Sequence, residues 1–113
     1  LRRLPEGYHP AFNDGGYPYT SPVGSFAANG YGLYDMAGNV WEWCWDWYDG
    51  AYYSSSLGTD PREPASSPYG GRVLRGGSWD GYANLTRCAN RDSGDYLTYE
   101  GDLINGFRCV RGL

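Results

Sequence analysis

The sequence predicts one small α+β domain, rich in loops and poor in regular secondary structure. Three observations lead there. The 18 glycines and 7 prolines form more than a fifth of the 113 residues, and both residue types punctuate helices and strands. No segment repeats apolar residues at helical spacing. Trp41, Trp43, Trp45 and Trp47 alternate along one short segment, and a period of two places all four indoles on one face of an extended strand.

The elements follow in chain order. Residues 1 to 31 read as turns, with Asn13-Asp14-Gly15-Gly16 and Asn29-Gly30 as the strongest, since Asn, Asp and Gly accept the backbone angles that turns need. The first strand spans 40 to 47. Its indole ladder reads as core before it reads as a sugar platform, because each ring hides a large apolar area. Residues 49 to 70 carry Gly, Pro, Ser and Asp in quick succession and make a surface excursion. Arg72-Val73-Leu74-Arg75 and Phe107-Arg108-Cys109-Val110-Arg111 alternate apolar and basic residues, as half-buried strands do. They bracket a polar stretch from Asp80 to Asn105.

Composition excludes several classes of function. A domain of this length buries only roughly two thirds of its unfolded surface, so the 12 tyrosines and 5 tryptophans must carry the core. The net charge is −4, with nine arginines and no lysine, which argues against a nucleic-acid partner that needs a concentrated basic face. No apolar run approaches a membrane span. Leu1-Arg2-Arg3-Leu4-Pro5 lacks the apolar core of a signal peptide, so an exported chain would already have lost its signal. Three cysteines, Cys44, Cys88 and Cys109, leave at least one thiol without an internal partner.

The most informative stretch is Gly32-Leu33-Tyr34-Asp35-Met36-Ala37-Gly38-Asn39-Val40-Trp41-Glu42-Trp43. Asp35 and Glu42 are hard oxygen donors seven positions apart. Gly38-Asn39 between them can turn the chain so that the carbonyls of Gly38 and Val40 face the same point. Calcium takes six to eight such oxygens in flexible geometry. The alternative is plainer: Asp35 caps a turn, Gly38-Asn39 makes a β-turn and Glu42 is a solvated strand residue.

Three ordered motifs, residues 30 to 43, Arg72-Val73-Leu74-Arg75-Gly76-Gly77-Ser78-Trp79 and Gly106-Phe107-Arg108-Cys109, resemble the C-terminal half of the formylglycine-generating (sulfatase-modifying) enzyme family. The resemblance covers nearly the whole chain. It implies a variant of the C-type-lectin-like fold held by cations, with a structural calcium ion on the side chains of Asp35 and Glu42 and the carbonyls of Gly38 and Val40. Calcium ligation of this kind leans to an extracellular, cell-surface or periplasmic setting. The N-terminal half of the family domain lies outside the match, so the tryptophan face calls for a cover, by self-association or by a partner chain.

Two departures shape the functional expectation. Family oxidases carry two copper-binding cysteines shortly after the Gly-Gly-Ser motif, and soft thiolates suit that metal. Here the stretch reads Asp80-Gly81-Tyr82-Ala83-Asn84-Leu85-Thr86, without cysteine, so no copper is expected. Cys88 and Cys109 align with cysteines that are structural in the enzymes. His9 is the single histidine, too few for a histidine-ligated iron, and Ser78 has no histidine base in its segment.

The expectation is therefore a non-catalytic binding or display module for a protein or carbohydrate ligand. Its expected ligand-facing residues are Ser78, Trp79, Asp80, Tyr82, Asn84, Thr86, Asp92, Asp95, Tyr96, Tyr99 and Asn105. Binding loops favour Tyr, Ser, Gly and Asn, and some relatives are the variable proteins of diversity-generating retroelements, which randomise surface positions in this region. The alternatives are a catalytic oxidase or oxygenase relative and a purely structural subunit of a surface assembly. Asn84-Leu85-Thr86 also fits the N-glycosylation pattern, a short motif that requires a eukaryotic secretory host.

Overall fold

The computed structural model describes residues 9–12, 15, 18–56, 58–59, 64–68, 70–94 and 103–111. Among them stand four strands and one short helix: β1 (Trp41–Trp47), α1 (Tyr52–Ser55), β2 (Arg72–Arg75), β3 (Asp92–Gly94) and β4 (Asn105–Gly106), with single 3-10 turns at Pro10–Phe12 and Ala83–Thr86. The strands make one mixed sheet in the order β3-β2-β1-β4. The α+β class with little regular structure is therefore found as expected.

β1 forms because alternating indoles favour an extended, half-buried backbone. It pairs antiparallel with β2 through Glu42 and Arg75, and Trp43 and Leu74. β2 pairs antiparallel with β3, and β4 runs parallel to β1, setting Trp41 against Asn105 and Glu42 against Gly106. The ladder is not continuous. Trp43 opposes Leu74 and Trp47 opposes Arg72, so four steps of β1 are matched to two of β2, a bulge that re-aims the side chains within it.

That bulge corrects the expectation of four indoles in one core face. Trp41 is buried at 6% exposure, whereas Trp45, inside the bulge, is 79% exposed. Trp43 and Trp47 are half-buried. The Arg72 guanidinium lies 3.6 Å from the centre of the Trp47 ring and 5.0 Å from that of Trp45. A cation on the ring faces thus stands where apolar packing was expected.

Among the described residues the core is small: Trp41, Val73, Leu74 and Trp79, with Ser78 beside them. The segment from Gly76 to Trp79 folds over the loop before β1. Gly38 N–H donates to the Gly76 carbonyl at 2.7 Å and Trp79 N–H to the Asn39 carbonyl at 2.9 Å. Tyr19 meets the Trp79 ring edge-on at 5.6 Å, and the Trp79 indole N–H donates to the Leu103 carbonyl at 3.3 Å. Arginines tie the loops down: Arg75 donates to the Cys88 carbonyl at 2.8 Å and Arg91 stacks on Tyr48 and Tyr53.

Two other sequence expectations change. The segment from Phe107 to Arg111 is not a strand; pairing with β1 ends at Gly106, and Phe107 and Val110 point to solvent. The excursion from 49 to 70 includes the short helix α1, exposed at Tyr53, Ser54 and Ser55. The Asn29-Gly30 turn is present, with the Asn29 side chain accepting from Tyr31 N–H and Leu33 N–H at 2.9 and 3.1 Å. Asn13, Asp14 and Gly16 lie outside the described residues.

Candidate cation site

In the loop before β1, Asp35 (φ 53°), Gly38 (φ 78°) and Asn39 (φ 66°) sit in the left-handed region, as Gly32 does (φ 75°). For Gly this is free of strain, and Asn and Asp tolerate it better than other side chains. Asn39 is held there by its own amide, which accepts from Ser21 N–H at 3.0 Å and donates to the Ser21 carbonyl at 3.1 Å. Asp35 accepts from Gly24 N–H at 2.6 Å. The segment from 21 to 24 thereby becomes the outer wall of the loop.

These contacts enclose a cavity of about 780 Å³ lined by Asp35, Gly38, Asn39, Val40, Glu42 and Arg108, among others. All four sequence-predicted ligand residues, Asp35, Gly38, Val40 and Glu42, thus border one space. The donor chemistry is all oxygen, as a hard cation requires. Among the described residues no three His, Cys, Asp or Glu side chains cluster, so any cation here would depend on backbone carbonyls as well as the two carboxylates.

Arg108 was missed as a member of the site. Its Nε and Nη2 donate to the two carboxylate oxygens of Glu42, a forked pair. The same guanidinium donates from Nη1 to the Tyr34 carbonyl and from Nη2 to the Asp35 carbonyl, each at 2.9 Å. The hydrogen bond to Glu42 raises the Arg108 pKa further, against a smaller opposing effect of burial. Sequence pattern showed a basic residue in an alternating segment and in the Gly106-Phe107-Arg108-Cys109 motif, with no sign of its partner, since 66 positions separate it from Glu42. The donor set fits a calcium ion by its chemistry, provided that the guanidinium gives Glu42 up.

The expected ligand surface is only partly assembled. Ser78 and Trp79 are 2% and 3% exposed; they belong to the interior, because the Gly76–Trp79 segment is folded onto the loop before β1. Asp80, Tyr82 and Asn84 are exposed together on one short loop, Tyr82 at 58%. Thr86 is half-buried, its hydroxyl donating to the Ala83 carbonyl at 2.7 Å. Asp92 begins β3 and Asn105 begins β4, the opposite edges of the sheet, so they do not share a patch. Asp95, Tyr96 and Tyr99 lie outside the described residues.

All three cysteines are free thiols, Cys88 and Cys109 exposed and Cys44 half-buried. The sulfatase-modifying factor enzyme 1-like domain matches residues 3–113. The chain belongs to that family. The formylglycine-generating enzyme of Streptomyces coelicolor is 44% identical over 110 residues, which cover 93% of this chain and 34% of that enzyme. The serine/threonine-protein kinase pkn1 of Chlamydia caviae is 46% identical over 96 residues, 83% of this chain and 15% of the kinase. Among solved structures, Treponema denticola variable protein 1 matches with a TM-score of 0.68 and 39% identity, covering 89% of this chain and 34% of that one. The fold is thus the lectin-like one of the sulfatase-modifying factor family, and the chain spans about a third or less of the length of these relatives.

Proposed function

We propose that this sulfatase-modifying factor relative is a non-catalytic binding module on a calcium-stabilised scaffold. The observation that carries the reading is the loop after Gly76-Gly77-Ser78-Trp79. It anchors through the buried Ser78 and Trp79, exposes Asp80, Tyr82 and Asn84, and contains no cysteine. Tyr offers a large contact area at small entropic cost and Asn an adaptable hydrogen bonder, so a protein or carbohydrate ligand suits this surface. The likeness to a variable protein supports display. Calcium on Asp35, Glu42 and the carbonyls of Gly38 and Val40 would brace the loop on which the Gly76–Trp79 segment rests. Such sites fill at the high calcium levels found outside cells, and an extracellular, cell-surface or periplasmic setting is part of this proposal.

Two measurements test this. Chelation with EDTA should lower the melting temperature by several degrees, since a ligand at a hundred times its Kd stabilises by about 2.7 kcal/mol; an unchanged melt rejects structural calcium. Tyr82→Ala and Asn84→Ala should weaken capture of glycans or proteins from an arrayed panel while leaving the melt unchanged. Wild-type binding by both variants would remove this loop as the ligand surface.

A second reading, catalysis, is favoured by the 44% identity to a formylglycine-generating enzyme. It predicts stoichiometric copper after metal loading and loss of a thiol, with gain of an aldehyde, in a cysteine peptide substrate. Neither outcome is expected of a binding module.

A further inference from the structure

We infer that Arg108 is a built-in counter-cation of the Asp35–Glu42 loop, and that a divalent ion and the Arg108–Glu42 pair exclude one another. The inference rests on the cation reading proposed above and concerns how that site is regulated.

The argument starts from occupancy of oxygen lone pairs. A guanidinium is planar and permanently charged, with five N–H donors in a fixed fork. Three of its nitrogens are used here: Nε and Nη2 on Glu42, Nη1 on the Tyr34 carbonyl and Nη2 again on the Asp35 carbonyl. The guanidinium therefore engages both oxygens of one of the two carboxylates and also bonds the backbone of the other acidic residue. It lines the same cavity as Gly38 and Val40. Asp35, for its part, gives an oxygen to Gly24 N–H.

Charge gives the second step. Asp35 and Glu42 supply two negative charges and Arg108 cancels one, so an entering dication meets a site of net −1 and a like charge within it. The fork takes a lone pair on each Glu42 oxygen and sets a fixed positive charge beside both, so an ion that takes this carboxylate in a bidentate fashion does so by displacing the fork. The Glu42 and Arg108 side chains are partly exposed, at 24% and 33%, so the pair is a weak, solvent-screened one and the guanidinium is rehydrated when it turns out into water. Arg108 follows β4 by two residues, and β4 is paired to Glu42 through Gly106. Exchange of the fork for an ion thus takes a side-chain swing that also releases the Tyr34 and Asp35 carbonyls.

Calorimetric titration of calcium chloride into the wild type, Arg108→Gln and Glu42→Gln tests the inference, with near-ultraviolet circular dichroism to check the fold. Arg108→Gln should bind on the order of tenfold tighter than wild type, the scale of one charge-assisted hydrogen bond, and Glu42→Gln should bind neither tightly nor stoichiometrically. Equal or weaker binding by a folded Arg108→Gln, with wild type binding calcium, overturns the inference and leaves the cation reading standing. No heat from either protein defeats both. If Arg108→Gln does not fold, the wild type alone decides by nitrogen-15 NMR. The Arg108 Nε–H resonance should move toward that of a solvated arginine as calcium saturates, and a resonance unmoved at saturation overturns the inference.

Discussion

At the scale of single residues, the loop before β1 depends on side chains that make an unusual backbone tolerable. Asn39 combines a left-handed φ with two hydrogen bonds to Ser21. Replacing it with Ala removes both bonds and adds backbone strain, which should cost roughly 2–4 kcal/mol. Asn39→Gly removes the bonds but keeps the angle, so it should cost about 1 kcal/mol less. Urea denaturation of the two variants checks the order, and equal losses would show that the angle contributes nothing. Cys44 carries a different signature: burial pushes its thiol above the ordinary value of 9.0, with Arg75 opposing and Asp46 and Glu42 adding. The folded state holds this proton more firmly than the unfolded chain does. The resulting stability is complete below the ordinary thiol pKa and is lost as pH rises through the raised one. Wild type should therefore lose more stability than Cys44→Ala across that alkaline window, as read from urea midpoints; parallel curves would contradict it.

At the scale of elements, β1 has one indole in the core and one in water. Trp41→Ala should destabilise by about 3–5 kcal/mol, as large buried aromatics do. Trp45→Ala should cost at most about 1 kcal/mol, the worth of an exposed contact between Arg72 and the ring. A thermal melt in which Trp45→Ala is the worse of the two would mean the bulge is misplaced. β3 is constrained by close approach instead. A methyl at Gly94 would overlap the Trp43 indole and lie 3.0 Å from Leu74 Cδ1. Gly94→Ala should therefore cost roughly 1–3 kcal/mol through overpacking, whereas Gly58→Ala, with open space around it, should be close to neutral in the same melt.

At the scale of the molecule, an apolar core that among the described residues comprises Trp41, Val73, Leu74 and Trp79 supports a broad aromatic and aliphatic surface. Val23 and Phe107 border the cavity lined by Asp35 and Glu42, while Met36, Trp43, Trp45 and Val110 border a second groove of about 740 Å³. Phe107 and Val110 are both strongly exposed, which makes them the apolar side chains on which to test the expected self-association. Phe107→Ser with Val110→Ser should reduce self-association measured by light scattering after gel filtration without lowering the melting temperature. A wild type that stays monomeric up to high concentration would remove self-association as the role of this surface.

The division between sequence and structure follows from the range of each interaction. By itself the sequence determined the loop-rich class, a strand at 40 to 47 that the structure begins at Trp41, the strand at 72–75, and a Gly-Asn turn beside Asp35, Gly38, Val40 and Glu42, which line one cavity, because periodicity and turn chemistry act over a few residues. It also carried the family motifs. Only the tertiary structure decided that Trp45 leaves the ladder, since a bulge arises from pairing with β2. Ser78 and Trp79 are buried for a similar reason, because their segment folds back on residues 38 and 39. Arg108 reaches Glu42 from 66 positions away, a distance over which no local pattern reports which carboxylate a guanidinium will meet.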